Sequence, residues 1–157
     1  DLNIQINKKL NKKFKIILTY SNLLYNQAVI EGKPPETPII TAHIGVVEGT
    51  YKFNMRNSLR FEAQVLKTKQ DQGDWATGLL EYSYSPHWFV AALGQYNYDN
   101  PKADEILYYN LSAGYNNHGN RISLSYGRQR AGIFCVGGVC RVVPASNGLY
   151  LSITSSF

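Results

Sequence analysis

The last nine residues of the sequence read Leu149-Tyr150-Leu151-Ser152-Ile153-Thr154-Ser155-Ser156-Phe157. Leu149, Leu151, Ile153 and Phe157 take every second position, interrupted only by Ser155, and the positions between them are polar or tyrosine. Successive side chains of a β-strand point to opposite faces. This alternation therefore predicts a strand with one apolar face and one polar face.

The same alternation recurs along most of the chain. Apolar residues of a single parity run through Leu2–Ile6, Phe14–Tyr20, Leu59–Val65, Leu80–Tyr84, Leu107–Tyr115 and Ile122–Tyr126, with Ile17 as an exception. The sequence therefore predicts an all-β fold.

Three segments alternate less cleanly. Asp74–Tyr84 favours Leu80, Tyr82 and Tyr84 on the apolar face, with Glu81 and Ser83 opposite. Ile40–Phe53 changes parity between Gly45 and Gly49, which predicts a β-bulge or kink in that strand. Trp88–Tyr98 is apolar on both faces at its start, so the period leaves its orientation open.

Composition excludes several other classes. Of the 157 residues 13% are aromatic and 17% are charged, and the net charge is +5. A disordered chain would be poor in aromatic residues, and no apolar run approaches the roughly 18 residues of a membrane-spanning helix. Transmembrane β-barrels, whose strands alternate between lipid and a polar interior, have compositions of this kind.

The connections between the predicted strands alternate in length. Backwards from Phe157, long connections at 131–148, 100–105, 69–73 and 27–38 alternate with short ones at 116–120, 85–87, 54–57 and 8–13. Outer-membrane barrels have short periplasmic turns and long external loops, and soluble β-sandwiches have no reason for such an asymmetry. Several predicted strands also reach ten residues, longer than the five or six usual in soluble proteins.

Aromatic residues fall near both ends of the predicted strands, as in the girdles of membrane barrels. One group lies at the short turns: Phe14, Phe53, Tyr84, Trp88, Tyr115 and Phe157. The other lies toward the long connections: Tyr25, Trp75, Tyr98 and Tyr109. We therefore expect a transmembrane antiparallel β-barrel of about eight or more strands. The alternative is a soluble, tyrosine-rich β-protein.

The C-terminal segment also resembles a known group of proteins. Tyr126–Ile133 (YGRQRAGI) and Cys135–Gly148 (CVGGVCRVVPASNG) are similar to the last hairpin of a family of uncharacterised outer-membrane barrels from Bacteroidota. The closing strand, with Leu151, Ile153 and Phe157, resembles the C-terminal signal that the barrel-insertion machinery reads. The resemblance implies a bacterial outer-membrane barrel, and it carries over no activity and no catalytic residues.

The strand count bears on how much of a barrel these 157 residues form. The alternation gives about eight full strands and a partial one at Leu2–Ile6. Bacterial single-chain barrels have an even number of strands and both termini in the periplasm. We therefore expect residues 1–157 to be the C-terminal part of a larger barrel. The alternative is a periplasmic tail at Asp1–Lys9 followed by an eight-stranded barrel.

Cys135 and Cys140 flank Val-Gly-Gly-Val in the longest connection. The cell envelope is oxidising, so we expect a disulfide that holds the shape of this loop. A metal or redox site is disfavoured because the spacing is not Cys-x-x-Cys and no histidine lies nearby.

No catalytic motif is present, and Ser85 and His87, which share a turn, do not make a triad. The lysines at 8, 9, 12 and 13 lie in a short turn, where they face solvent or lipid head groups, so we expect no nucleic-acid partner. We expect neither a metal nor a cofactor.

Five polar residues share the inward parity of the predicted barrel: Arg60, Glu62, Gln64, Glu81 and Arg121. They line water in a wide barrel or pair with one another in a filled small one. We expect a non-enzymatic barrel that serves as a structural or accessory subunit among other outer-membrane proteins. The alternative is a porin-like channel for small solutes, and an interfacial enzyme is a third hypothesis.

Overall fold

A computed structural model describes residues 1–30, 32, 34–70, 72–100 and 106–155. These residues form an all-β fold with one helical turn. The strands are β1 Leu2–Lys9, β2 Phe14–Tyr25, β3 Ile40–Lys52, β4 Asn57–Lys67, β5 Asp74–Tyr84, β6 Trp88–Asp99, β7 Ile106–Asn117, β8 Asn120–Gln129, β9 Gly132–Val136, β10 Val139–Val143 and β11 Ser146–Ser155; the helical turn, α1, is Gln27–Ile30.

Nine strands form one antiparallel sheet in the order β1-β2-β3-β4-β5-β6-β7-β8-β11. Each strand pairs with its neighbour in sequence, except that β11 pairs with β8 across the inserted β9–β10 hairpin. Among the described residues β1 and β11 each have one neighbour, so the sheet is open at both edges.

The sheet has two ends that differ in their connections. The short turns at 10–13, 53–56, 85–87 and 118–119 lie at one end, which we call the short-turn end. The strand ends that border 26–39, 68–73, 100–105 and 130–145 lie at the other, which we call the long-connection end.

The two faces of the sheet differ in chemistry. One face can be followed across six strands through a row of successive cross-strand partners: Phe61, Leu80, Ala92, Leu111, Tyr126 and Leu149. This outer face is exposed; Leu111 is 57% and Leu149 is 70% accessible. The opposite, inner face carries polar residues such as Ser112, Ser123 and Ser125, which are buried.

No helix in the described part of the chain is long and apolar enough to span a membrane.

The β9–β10 hairpin packs on the inner face. Its residues Phe134, Val136 and Val143 form a buried cluster with Leu79, Phe89 and Ala91 of β5 and β6. The core of this protein therefore lies between the hairpin and the inner face. Among the described residues, none on the outer face belongs to this cluster.

The prediction of an all-β fold is confirmed, and two local predictions are wrong. β3 has no bulge, because its register is continuous with both β2 and β4; among the described strand pairs, the one register shift lies between Asp74 and Trp75, against β6. The connection predicted at 131–148 contains two strands, and β11 begins at Ser146.

The alternative of a periplasmic tail at Asp1–Lys9 does not describe this segment, because Leu2–Lys9 is a full strand paired with β2. Trp75, predicted near an aromatic girdle, is 8% exposed and lies against the guanidinium of Arg130, 4.6 Å from the ring centroid.

Candidate functional site

A charged cluster lies on the inner face near the short-turn end. Arg60 in β4 is directly opposite Glu81 in β5, and Glu62 is directly opposite Glu48 in β3. Residues two apart on a strand share a face, so Arg60 and Glu62 are neighbours. The alternation of the strands thus brings these four side chains together.

Arg60 is the centre of the cluster. Its guanidinium nitrogens lie 3.3 Å from a carboxylate oxygen of Glu81, 3.4 Å from Glu62 and 3.7 Å from Glu48. Glu81 is the most buried of the three acids, with 6% of its side chain exposed. A carboxylate this buried requires a paired charge and hydrogen bonds, and the Arg60 guanidinium supplies part of this requirement.

Ser83 Oγ donates to Glu81 Oε1 at 3.4 Å, and the hairpin tip supplies further hydrogen bonds. The backbone N–H of Gly137 donates to Glu81 Oε2 at 2.8 Å. Arg60 Nη2 donates to the carbonyl of Cys135 at 3.2 Å. Arg121 donates through Nη2 to the carbonyl of Val136 at 2.8 Å and through Nη1 to that of Gly137 at 3.0 Å. The charged side chains therefore bind the backbone of the hairpin turn, and we call this set (Arg60, Glu81, Arg121) the cradle.

Phe89 forms the apolar floor of the cradle. It is 3% exposed, and the guanidinium carbon of Arg121 lies 4.4 Å from its ring centroid, a cation–π distance. Gly137 lies against the same ring in a left-handed conformation, with φ of 61°. A side chain at Gly137 would meet the Phe89 ring at 2.7 Å and Arg121 Nη1 at 2.9 Å.

The base of the hairpin is held at the opposite, long-connection end. Gln129 Nε2 donates to the carbonyl of Pro144 at 3.2 Å, and Asn110 Nδ2 donates to Gln129 Oε1 at 3.1 Å. The hairpin therefore extends along the inner face between the two ends of the sheet. The predicted disulfide is present: Cys135 and Cys140 are directly opposite each other and bonded.

The structure brings together four of the five residues predicted to share an inward parity. Arg60, Glu62, Glu81 and Arg121 lie in or beside the cradle, whereas Gln64 lines a separate cavity. In β11, Leu151 and Ile153 are exposed on the outer face. Phe157, the third residue assigned to the assembly signal, lies outside the described residues.

Sequence reasoning missed Glu48, Phe89 and Gly137. The parity of β3 places Glu48 inward, but the supposed bulge near it hid this signal. The role of Gly137 had no local signal, because its partner Glu81 lies 56 residues away in sequence. Within the described residues, no group of three or more His, Cys, Asp or Glu side chains is arranged to hold a metal ion.

Comparison with known proteins gives a family whose function is unknown. The sequence profile of a family of unknown function (DUF6029) matches residues 1–157. No curated protein and no solved structure matches the chain.

Proposed function

The chain belongs to this family of unknown function, and we propose that it forms part of the wall of an outer-membrane β-barrel. In this role it acts as a structural or accessory subunit, without enzymatic activity. We assign the membrane to a bacterium and, from the C-terminal resemblance, to the Bacteroidota. The observation that carries this proposal is the exposure of the apolar outer face of the sheet, while the inner face carries buried serines and the charged cradle and holds the hairpin.

The outer face supports contact with lipid. Large apolar side chains on it are about half exposed in strand after strand, including Ile4 (50%), Leu80 (51%), Tyr126 (54%) and Ile153 (68%). Soluble monomers rarely expose a continuous apolar patch larger than a few hundred Å². In a bilayer the same face contacts lipid acyl chains and is shielded from water.

Aromatic residues at the short-turn end support an interface with the head groups. Tyr84, Trp88 and Tyr115 are successive cross-strand partners in the row next to the turns. The rings of Trp88 and Tyr115 lie 4.7 Å apart between centroids, edge to face. Such rings favour the boundary between hydrocarbon and water.

The hairpin supports the structural role over the porin-like channel. In a closed barrel, the inner face would surround the hairpin, and the cradle would hold its tip across the lumen near the periplasmic end. Charged side chains that would line water are instead used to bind the hairpin backbone. We therefore expect conduction to be slight.

The open edges support partners. The backbone groups of β1 and β11 that face away from the sheet can pair with further strands, from the same polypeptide or from another outer-membrane protein. Residues 1–157 are then part of a larger wall. Leu151, Ile153 and Phe157 are our candidates for the signal read by the barrel-insertion machinery.

The test is electrophoresis of the native protein from outer-membrane extracts, with and without boiling. Faster migration of the unboiled sample is expected, because closed barrels resist detergent and remain compact. A chain that fractionates as a soluble protein and shows no shift would contradict the proposal. A membrane-bound chain without a shift would contradict closure and retain the membrane assignment.

Conductance in planar bilayers distinguishes the porin-like channel from the structural subunit. A structural subunit conducts little and co-purifies with a fixed partner. Steady, large single-channel currents from the wild-type protein would favour the porin-like function instead.

A further inference from the structure

A second feature of the inner face lies at the long-connection end, away from the cradle. A cavity of about 330 Å³ lies between strands β3–β6 and the base of the β9–β10 hairpin. This volume is at the lower end of the range for small-molecule sites. The cavity is built from inner-face strand residues, the hairpin and the adjoining connections at 68–73 and 130–131, so it does not depend on what covers the outer face.

Three polar side chains form one row of its lining. Gln64, Thr77 and Gln95 are successive cross-strand partners in β4, β5 and β6, and all three line the cavity. They are half-buried. Within the described part of the chain, no side-chain hydrogen bond engages any of the three. Their carboxamides and hydroxyl therefore present donors and acceptors to whatever fills the cavity.

Apolar side chains surround this row. Leu66 and Trp75 lie in the next inward row on one side, Leu93 lies on the other, and Phe134 and Val143 of the hairpin complete the lining. Polar side chains, with Thr68, Gln72 and Gln129 beside the row, contribute to the lining about as much as apolar ones, which suits a ligand that carries both hydroxyl groups and C–H surfaces.

The charge of the lining indicates an uncharged ligand. Among the described lining residues Arg130 is the one charged side chain, and its guanidinium lies over the Trp75 ring. The Tyr108 ring also stacks on that indole, at 6.0 Å between centroids. The ligand is therefore recognised by the amide row and the aliphatic walls rather than by an ion pair or by stacking on Trp75.

We propose that this cavity binds a small neutral ligand with several hydroxyl groups, of monosaccharide size. Its hydroxyls would exchange hydrogen bonds with Gln64, Thr77 and Gln95, and its C–H surfaces would contact Leu66, Leu93 and Phe134. The cradle lies beyond the cavity toward the short-turn end, so the site retains a ligand rather than passing it through.

The positions of the two tryptophans provide a direct probe. Trp75 lines the cavity, whereas Trp88 is 57% exposed on the outer face. The full chain with Trp88→Phe therefore reports on the cavity through Trp75 alone. D-glucose and N-acetyl-D-glucosamine are titrated into this protein in detergent, with D-glucuronate as a charged analogue of the same size.

A saturable change in Trp75 fluorescence with at least one neutral sugar is the expected result. Gln64→Leu and Gln95→Leu should each weaken that binding by about tenfold or more, because an apolar residue leaves a ligand hydroxyl unpaired. Gln5→Leu is the matched control, since Gln5 shares the inner parity but lies in β1, where its amide donates to Thr19 Oγ1 at 3.4 Å.

Three outcomes would overturn the proposal. The first is the absence of a saturable change with both neutral sugars, which leaves a water-filled space. The second is equal binding by the Gln64, Gln95 and Gln5 variants, which places the ligand elsewhere. The third is much tighter binding of glucuronate than of glucose, which would make Arg130 the recognition group.

Discussion

At the scale of single residues, the hairpin turn contains two glycines with the same conformation and different surroundings. Gly137 has φ of 61° and Gly138 has φ of 75°, both in the left-handed region that side chains disfavour. A Cβ at Gly137 would collide with Phe89 and Arg121, whereas a Cβ at Gly138 would meet nothing within 4 Å. Substitutions at the two positions can therefore distinguish the backbone strain of the turn from the packing of the turn in the cradle.

Gly138→Ala is expected to lower the free energy of hairpin opening by about 1–2 kcal/mol, the usual cost of a side chain in the left-handed region. Gly137→Ala is expected to lower it further, because the Cβ must also displace the Phe89 ring or the Arg121 guanidinium. Hydrogen exchange of the hairpin amides, measured by mass spectrometry, gives both values. Equal effects of the two substitutions would show that the fit against Phe89 contributes nothing.

The sequence separation of an interaction decides whether it could be predicted for the residues of the cradle. The inward parity of Arg60, Glu81 and Arg121 is a local property, so the alternation of each strand is enough to find it. Their partner is not local: Arg60 binds the carbonyl of Cys135 across 75 residues. The sequence pattern therefore places the charges on one face without indicating what they bind.

At the scale of elements, β3 shows how a glycine can disturb the apparent period. Val46 and Val47 are consecutive apolar residues on opposite faces, while Gly45 and Gly49 take outward positions where apolar side chains are expected. The ring of Phe61, the cross-strand partner of Gly49, covers the missing side chain. The strand is regular, and only its pattern of side chains changes.

The disulfide is expected to stabilise the hairpin more than the sheet. For a ring this short, chain entropy predicts a contribution of about 2 kcal/mol. Replacing both Cys135 and Cys140 by Ser should lower the opening free energy of the hairpin by that amount. The β2–β3 amides should keep their exchange rates. Comparable loss of protection in the β2–β3 amides would mean that the hairpin and the sheet unfold as one unit.

In the proposed closed barrel, the hairpin is also expected to limit conduction. Replacing Gly132–Val143 with a short Gly/Ser linker removes the buried cluster and leaves the cradle open to water. In planar bilayers this deletion should raise single-channel conductance well above that of the wild type and of the Cys135→Ser/Cys140→Ser variant, which keeps its hairpin. An unchanged low conductance, in a variant that still shows heat-dependent migration, would mean that the lumen is closed by something else.

At the scale of the whole molecule, the number of strands constrains how the proposed barrel wall would be completed. All eight pairings in the nine-stranded sheet are antiparallel, so β1 and β11 run in the same direction. Joining them directly would create one parallel pair in an antiparallel barrel. A second copy in the same membrane orientation would also meet this chain through parallel edges. An odd number of further strands between β11 and β1 avoids this and gives the even total typical of bacterial barrels.

Cysteine cross-linking tests whether the edges meet. Gln5→Cys in β1 is combined in turn with Tyr150→Cys, Ser152→Cys or Thr154→Cys in β11, which are inner-face positions on the two edges. The native disulfide leaves no free thiol to interfere. Oxidation should link none of these pairs. It should link Ser123→Cys to Ser152→Cys, because these residues are directly opposite each other in β8 and β11. A link between Gln5→Cys and any of the β11 positions would mean that β1 and β11 pair directly, and that this chain closes as a nine-stranded barrel with one parallel seam.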